Sequence, residues 1–79
     1  MSPTVFSDSG LRFFFFSREE PRMHVHVMGQ SCEAKFWLEP EIELSVNKGM
    51  SVALLKKAEN LVIQRQEEIR NAWKRHFGG

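Results

Sequence analysis

His24 and His26 stand one residue apart in the segment Arg22-Met23-His24-Val25-His26-Val27. Val25 and Val27 favour extended backbone, so the segment reads as a strand. Strand alternation then puts both imidazoles on one face, about 7 Å apart. Two imidazoles on one face suit general acid–base chemistry, because histidine is the side chain that titrates nearest neutrality. They also suit metal ligation. Further ligands are not evident at metal-site spacing, and Glu33, Cys32 and His76 are the residue types on offer. The plain alternative is a pair of half-buried, hydrogen-bonded histidines on the wetter side of a sheet.

Other residues could extend such a site. Arg22 flanks the pair, with Arg18 across the preceding connection. Two planar guanidinium forks beside two histidines resemble a phosphate or anion site, and otherwise they are solvated charges around a turn. Trp37 falls with Glu33 and Lys35 on the polar face of its strand, where an aromatic covers a neighbour or seeds an interface. His76 lies in the last turn of a helix, where the dipole alone accounts for a cation. The alternative is that the helix end carries it to the histidine face. The binding candidates are therefore Arg22, His24, His26, Trp37 and His76. No catalytic residue is assigned, and no metal or cofactor is called for. No Gly-rich phosphate loop, paired-carboxylate site or Ser-His-Asp order is present.

The elements that must position these residues read as follows. Ser7 to Gly10 is a turn. Leu11 to Ser17 is a strand with no polar face: Phe13 and Phe15 point one way, Phe14 and Phe16 the other, so both sides need covering. Arg22 to Met28 is the histidine strand, closed by a tight turn at Gly29-Gln30. Cys32 to Leu38 alternates Cys32, Ala34, Phe36 and Leu38 against Glu33, Lys35 and Trp37. Ile42, Leu44 and Val46 form a fourth strand with one wet face, which suits an edge. Ser51 is a helix N-cap. Beyond it the apolar spacing becomes helical through Leu55, Ala58, Val62, Ile69, Trp73 and Phe77, ending at Gly78-Gly79. A helix over 52–77 would be about 39 Å long, so it overhangs the sheet or breaks near Gln64 to Gln66.

The predicted architecture is α+β: a four-stranded antiparallel sheet with one long C-terminal helix packed on one face. The 79 residues form a single domain, with an N-terminal segment at 1–10, the sheet at 11–46 and the helix at 51–77. A chain this short buries only about 60% of its unfolded surface, so its core must be dense or a partner must help. Seven phenylalanines and two tryptophans supply density. The one cysteine, Cys32, forms no intramolecular disulfide and reads as a small core residue. No apolar run approaches the roughly 20 residues of a membrane helix, and Met1 to Ser9 lacks a basic signal-peptide start. The expected location is cytoplasmic, with no membrane partner. Net charge is +1, unevenly spread. Residues 30–47 set Glu33, Glu39, Glu41 and Glu43 against Lys35. Residues 51–79 set Lys56, Lys57, Arg65, Arg70, Lys74 and Arg75 against Glu59, Glu67 and Glu68. The basic helix is a solvated surface or, on the sharper reading, a stripe for nucleic acid.

Three segments carry a resemblance. Glu20-Pro21-Arg22-Met23-His24-Val25-His26-Val27, Glu33-Ala34-Lys35-Phe36-Trp37-Leu38-Glu39-Pro40 and Ala72-Trp73-Lys74-Arg75-His76-Phe77-Gly78 are similar to the signature of a small family of uncharacterised prokaryotic proteins, a domain of unknown function. The Pro-x-x-His-x-His-Val core is its specific part. The resemblance spans about Leu11 to Gly78. It implies a small protein often encoded beside a second small domain, in the manner of a toxin–antitoxin pair. It implies no catalytic residue, and it carries over His24 and His26 as motif positions.

The functional expectation is a protein-interaction module, one component of a toxin–antitoxin-type pair, bound to a small partner protein or to itself. A sheet with one helix leaves a second face showing His24, His26, Trp37 and half of the phenylalanines, which such a partner would hide. The alternatives are an RNA-binding or RNA-cleaving protein that uses the histidine pair, and a metal-binding domain centred on it.

Overall fold

The computed structural model describes residues 4–16 and 21–78. Five strands precede two helices: β1 (Thr4–Asp8), β2 (Leu11–Phe14), β3 (His24–Met28), β4 (Glu33–Trp37), β5 (Glu43–Lys48), α1 (Val52–Gln64) and α2 (Gln66–Phe77). The strands form one antiparallel sheet in chain order, β1-β2-β3-β4-β5. The α+β class and the antiparallel sheet are as expected. Two details are corrected: the sheet has five strands rather than four, and the helical part is two helices rather than one. Arg18, in the connection between β2 and β3, lies outside the described residues.

The extra strand is β1. Residues 1–10 read as a lead-in ending in a turn at Ser7 to Gly10, but Ser7 and Asp8 are already paired with Arg12 and Leu11. The turn is only Ser9-Gly10, both at positive φ, 55° and 78°. Two consecutive positive φ values make the tight hairpin turn that matches strand twist, and glycine supplies the second at no steric cost. Phe6 then stacks on Phe13, with ring centroids 4.4 Å apart.

The helix breaks at Arg65, whose φ is −112° and ψ 24°. No proline or glycine lies there. The Gln66 side-chain amide donates to the Ile63 carbonyl at 3.1 Å, a side chain entering the backbone ladder. Arg65 itself is held from outside the helix. Its guanidinium lies 3.7 Å over Phe6, reaches Asp8 at 3.6 Å and donates to Glu68 at 2.9 Å. The bend lets both helices keep an apolar side on one sheet face. Ala58 and Val62 of α1, and Ile69 and Trp73 of α2, join Phe13, Val25, Val27 and Phe36 in a single core.

The helix ends follow the sequence. Ser51 accepts from the Leu54 N–H at 3.1 Å, and Gly78 closes α2 in the left-handed conformation, its N–H donating to Lys74. Ser51→Ala is expected to cost about 1 kcal/mol, read as a lower urea midpoint at unchanged slope. Asn47 fastens the approach to α1 by accepting from the Met50 N–H at 2.9 Å and donating to its carbonyl at 3.1 Å. At the far end of the sheet, Arg70 ties α2 to the β4–β5 connection, donating to the Glu39 carboxylate at 2.8 Å and to the Leu38 carbonyl at 2.9 Å.

Candidate functional site

Register decides which side chains share the face away from the core, which α2 meets through Trp73 at His24. Val25 and Val27 of β3 pair with Phe36 and Ala34 of β4, all in the core. His24, His26 and Met28 therefore point the other way, opposite Trp37, Lys35 and Glu33. On the other side of β3, Phe14 is opposite His26. The phenylalanine run divides as its alternation predicts. Phe13 and Phe15 enter the core, while Phe14 and Phe16 pack on His26 at centroid distances of 5.6 and 4.4 Å.

The two histidines share a side but not an environment. His24 is 1% exposed, with Trp37 of β4 at 5.4 Å, Trp73 of α2 at 5.2 Å and His26 at 5.1 Å between ring centroids. Its Nδ1 lies 2.6 Å from the Arg22 carbonyl. A carbonyl oxygen only accepts, so Nδ1 carries the hydrogen and donates it. The position thus reads as a packed, oriented structural residue. His26 is half-buried and reaches solvent. It lines a groove of about 260 Å³ whose other walls are Phe16, Lys35, Val46, Lys48 and Glu33.

This difference bears on chemistry. Acid–base cleavage by a histidine pair needs both rings within hydrogen-bond reach of the substrate. Here His26 meets the groove, while His24 is not part of its lining and is buried in contact with two indoles. The groove also falls below the ~300–1,000 Å³ of pockets that enclose a small molecule. It is an open groove rather than a chamber. Among the described residues, no three His, Cys, Asp or Glu side chains come together in a metal-ligating group.

Arg22 and Trp37 belong to the same cluster. The Arg22 guanidinium lies 4.1 Å from the Trp37 ring centroid, with its Nε donating to the Glu39 carbonyl at 2.8 Å. Lys35 Nζ lies 4.4 Å from the same ring. Each cation–ring contact is worth about 0.5–1 kcal/mol at an exposed site. A nucleobase stacking on this indole would compete with two cations for its π-surface. Arg22 is thus committed largely to holding Trp37 and the β4–β5 connection.

His76 is placed elsewhere. It is exposed, stacks at 6.3 Å on Phe15 and touches Phe77 at 4.4 Å, beside Arg75 and the Thr4 end of β1. Cys32 is partly buried against the core at the Gly29 turn, where a Cβ on Gly29 would stand 2.8 Å from its Sγ. Residue spacing therefore brought together Arg22, His24, His26 and Trp37 but not His76. The groove residues Phe16, Val46 and Lys48 did not stand out in the sequence. Phe16 had a signal in its alternation with Phe14. Val46 and Lys48 had none, because their approach to His26 depends on β4 lying between.

The family model described as a domain of unknown function, DUF4160, matches residues 10–74. No curated protein and no solved structure matches the chain. No helix among the described residues is long and apolar enough to cross a membrane.

Proposed function

The chain belongs to the DUF4160 family, a domain of unknown function, and from that premise we propose that it is a protein-interaction module that docks a partner protein around His26. The observation that carries this reading is the composition of the side facing away from the helices. Phe16, Met28 and Val46 are 41, 39 and 38% exposed there, around a half-buried histidine. Lys35 lies between His26 and Val46 across the sheet, and Lys48 and Glu33 line the same groove. Exposed apolar side chains interleaved with charges of both signs suit a protein–protein contact. A component of a toxin–antitoxin-type pair would use such a surface to hold its cognate protein.

RNA is the second reading, favoured by Arg12 lying 4.6 Å over Phe14 on the same side as Lys35 and Lys48. Glu33 and Glu43 on that side dilute the charge, and Phe14 is fully buried, so it offers no stacking surface.

The test uses the whole chain as bait in an extract of its own cells, treated with nuclease, beside a Phe16→Glu/Val46→Glu variant. The expected result is a protein retained by the wild type after nuclease treatment. A direct titration with that protein, once purified, should then show the variant binding at least about thirtyfold more weakly. Retention that disappears with nuclease supports RNA instead. Equal binding by bait and variant removes this face as the docking surface.

A further inference from the structure

β5 is the last strand of the sheet, and among the described residues nothing pairs with its outer edge. Such an edge presents a row of backbone donors and acceptors to any strand that can lie beside it. Within β5, Glu43 and Lys48 are five residues apart, a spacing that sends side chains to opposite faces of a regular strand. The β4–β5 ladder is not regular. Lys35 is opposite Val46 but Phe36 is opposite Leu44, so Ser45 is an extra residue. As a result Glu43 lies opposite Trp37 and Lys48 opposite Glu33. Trp37 and Glu33 share a face of β4, and so Glu43 and Lys48 share that face too.

This makes the edge self-complementary. Lay a second copy antiparallel along it, with a two-fold axis passing between Ser45 and Val46. Glu43 of each copy then falls opposite Lys48 of the other, on the same face. Leu44 falls opposite Asn47 on the opposite face. The row across the seam alternates in charge, from Glu33 to Lys48 and on to Glu43 of the second copy. A two-fold contact repeats each pairing, so the match occurs at both ends. Among the described residues, Glu43 makes a loose exposed pair with Arg22, at 3.9 Å, which does not fix its carboxylate. Leu44 and Val46, 41 and 38% exposed, flank the axis, and β5 contains no proline to block a ladder.

The geometry points to β5 as the seam of a two-fold dimer of this chain, joining two five-stranded sheets into one of ten strands. The inference shares Val46 and Lys48 with the groove around His26 but concerns self-association along the strand edge, which sedimentation of the purified chain reads without any second protein.

Sedimentation equilibrium of the full chain, up to roughly 100 µM, tests it with charge exchange. The wild type is expected to dimerise in this range. Lys48→Glu sets carboxylates against each other at both ends, and Glu43→Lys sets ammonium against ammonium. Each should weaken the dimer about tenfold or more, and the double exchange Glu43→Lys/Lys48→Glu should restore it to within about threefold. Circular dichroism of the four proteins controls for folding. Backbone amide exchange of the wild type is a second readout: β5 should be protected at high concentration and lose that protection on dilution. A wild type monomeric throughout overturns the seam. Single exchanges that dimerise as well as the wild type, or a double exchange as weak as the singles, overturn it as well.

Discussion

Trp73→Ala is expected to destabilise the chain severely. The indole is 7% exposed and meets Phe15 at 5.4 Å, Phe77 at 4.3 Å and His24 at 5.2 Å. It therefore joins the core to the histidine layer from α2. Removing a buried tryptophan side chain costs about 3–5 kcal/mol, part in lost transfer and part in the cavity left behind. A domain of this length has about 4–12 kcal/mol in total. The substitution removes from about a quarter to all of that margin. Urea unfolding followed by near-ultraviolet circular dichroism reads the result. A loss below about 1 kcal/mol would show that Trp73 does not bridge the two layers.

The second large effect separates the two histidines. His24→Ala is expected to destabilise by about 2–4 kcal/mol, because it empties a site between two indoles and strips the Arg22 carbonyl of its donor. His26→Ala should cost about 1 kcal/mol, the value of its contacts with Phe14 and Phe16. Partner binding should show the reverse order once protein is corrected for the folded fraction, with His26→Ala weaker by about tenfold or more and His24→Ala close to wild type. The pair of experiments needs both readouts. Equal destabilisation by the two substitutions would contradict the unequal burial described above. It also follows that a variant lacking both histidines reports folding before it reports any activity.

The sheet and the helix caps were legible because their signals are local. Alternation in Cys32 to Leu38 fixes which residues face the core, and Ser51 marks a helix start by its own hydroxyl. Strand β1 was hidden because its favourable run, Thr4-Val5-Phe6, is short and runs straight into the turn-forming Ser7, Asp8 and Gly10. What holds it is Phe6 on Phe13 and Arg65 on Phe6, contacts that no local pattern announces. The helix break was legible as a place but not as a certainty, since neither glycine nor proline marks it. Its determinant is a glutamine side chain that takes one carbonyl. For the candidate site, alternation placed His24 and His26 on one side. It could not rank their burial, because that depends on Trp73 arriving from the far end of the chain and on the register that sets Trp37 beside His24.

The hairpin at the start of the sheet has a consequence for what the chain must avoid. The family match begins at residue 10, after β1, yet β1 is the strand that occupies the outer edge of β2. Arg65 clamps it there through Phe6 and Asp8. If that clamp opens and β1 peels away, Leu11–Phe14 becomes an exposed strand edge leading into Phe15 and Phe16, apolar on both sides and without proline. Short segments of that kind stack into intermolecular sheets. The first strand and one arginine thus cover the edge of this phenylalanine-rich stretch. Proteolysis before Gly10, or Arg65→Ala, is therefore expected to raise aggregation over the intact chain, read by light scattering at equal concentration.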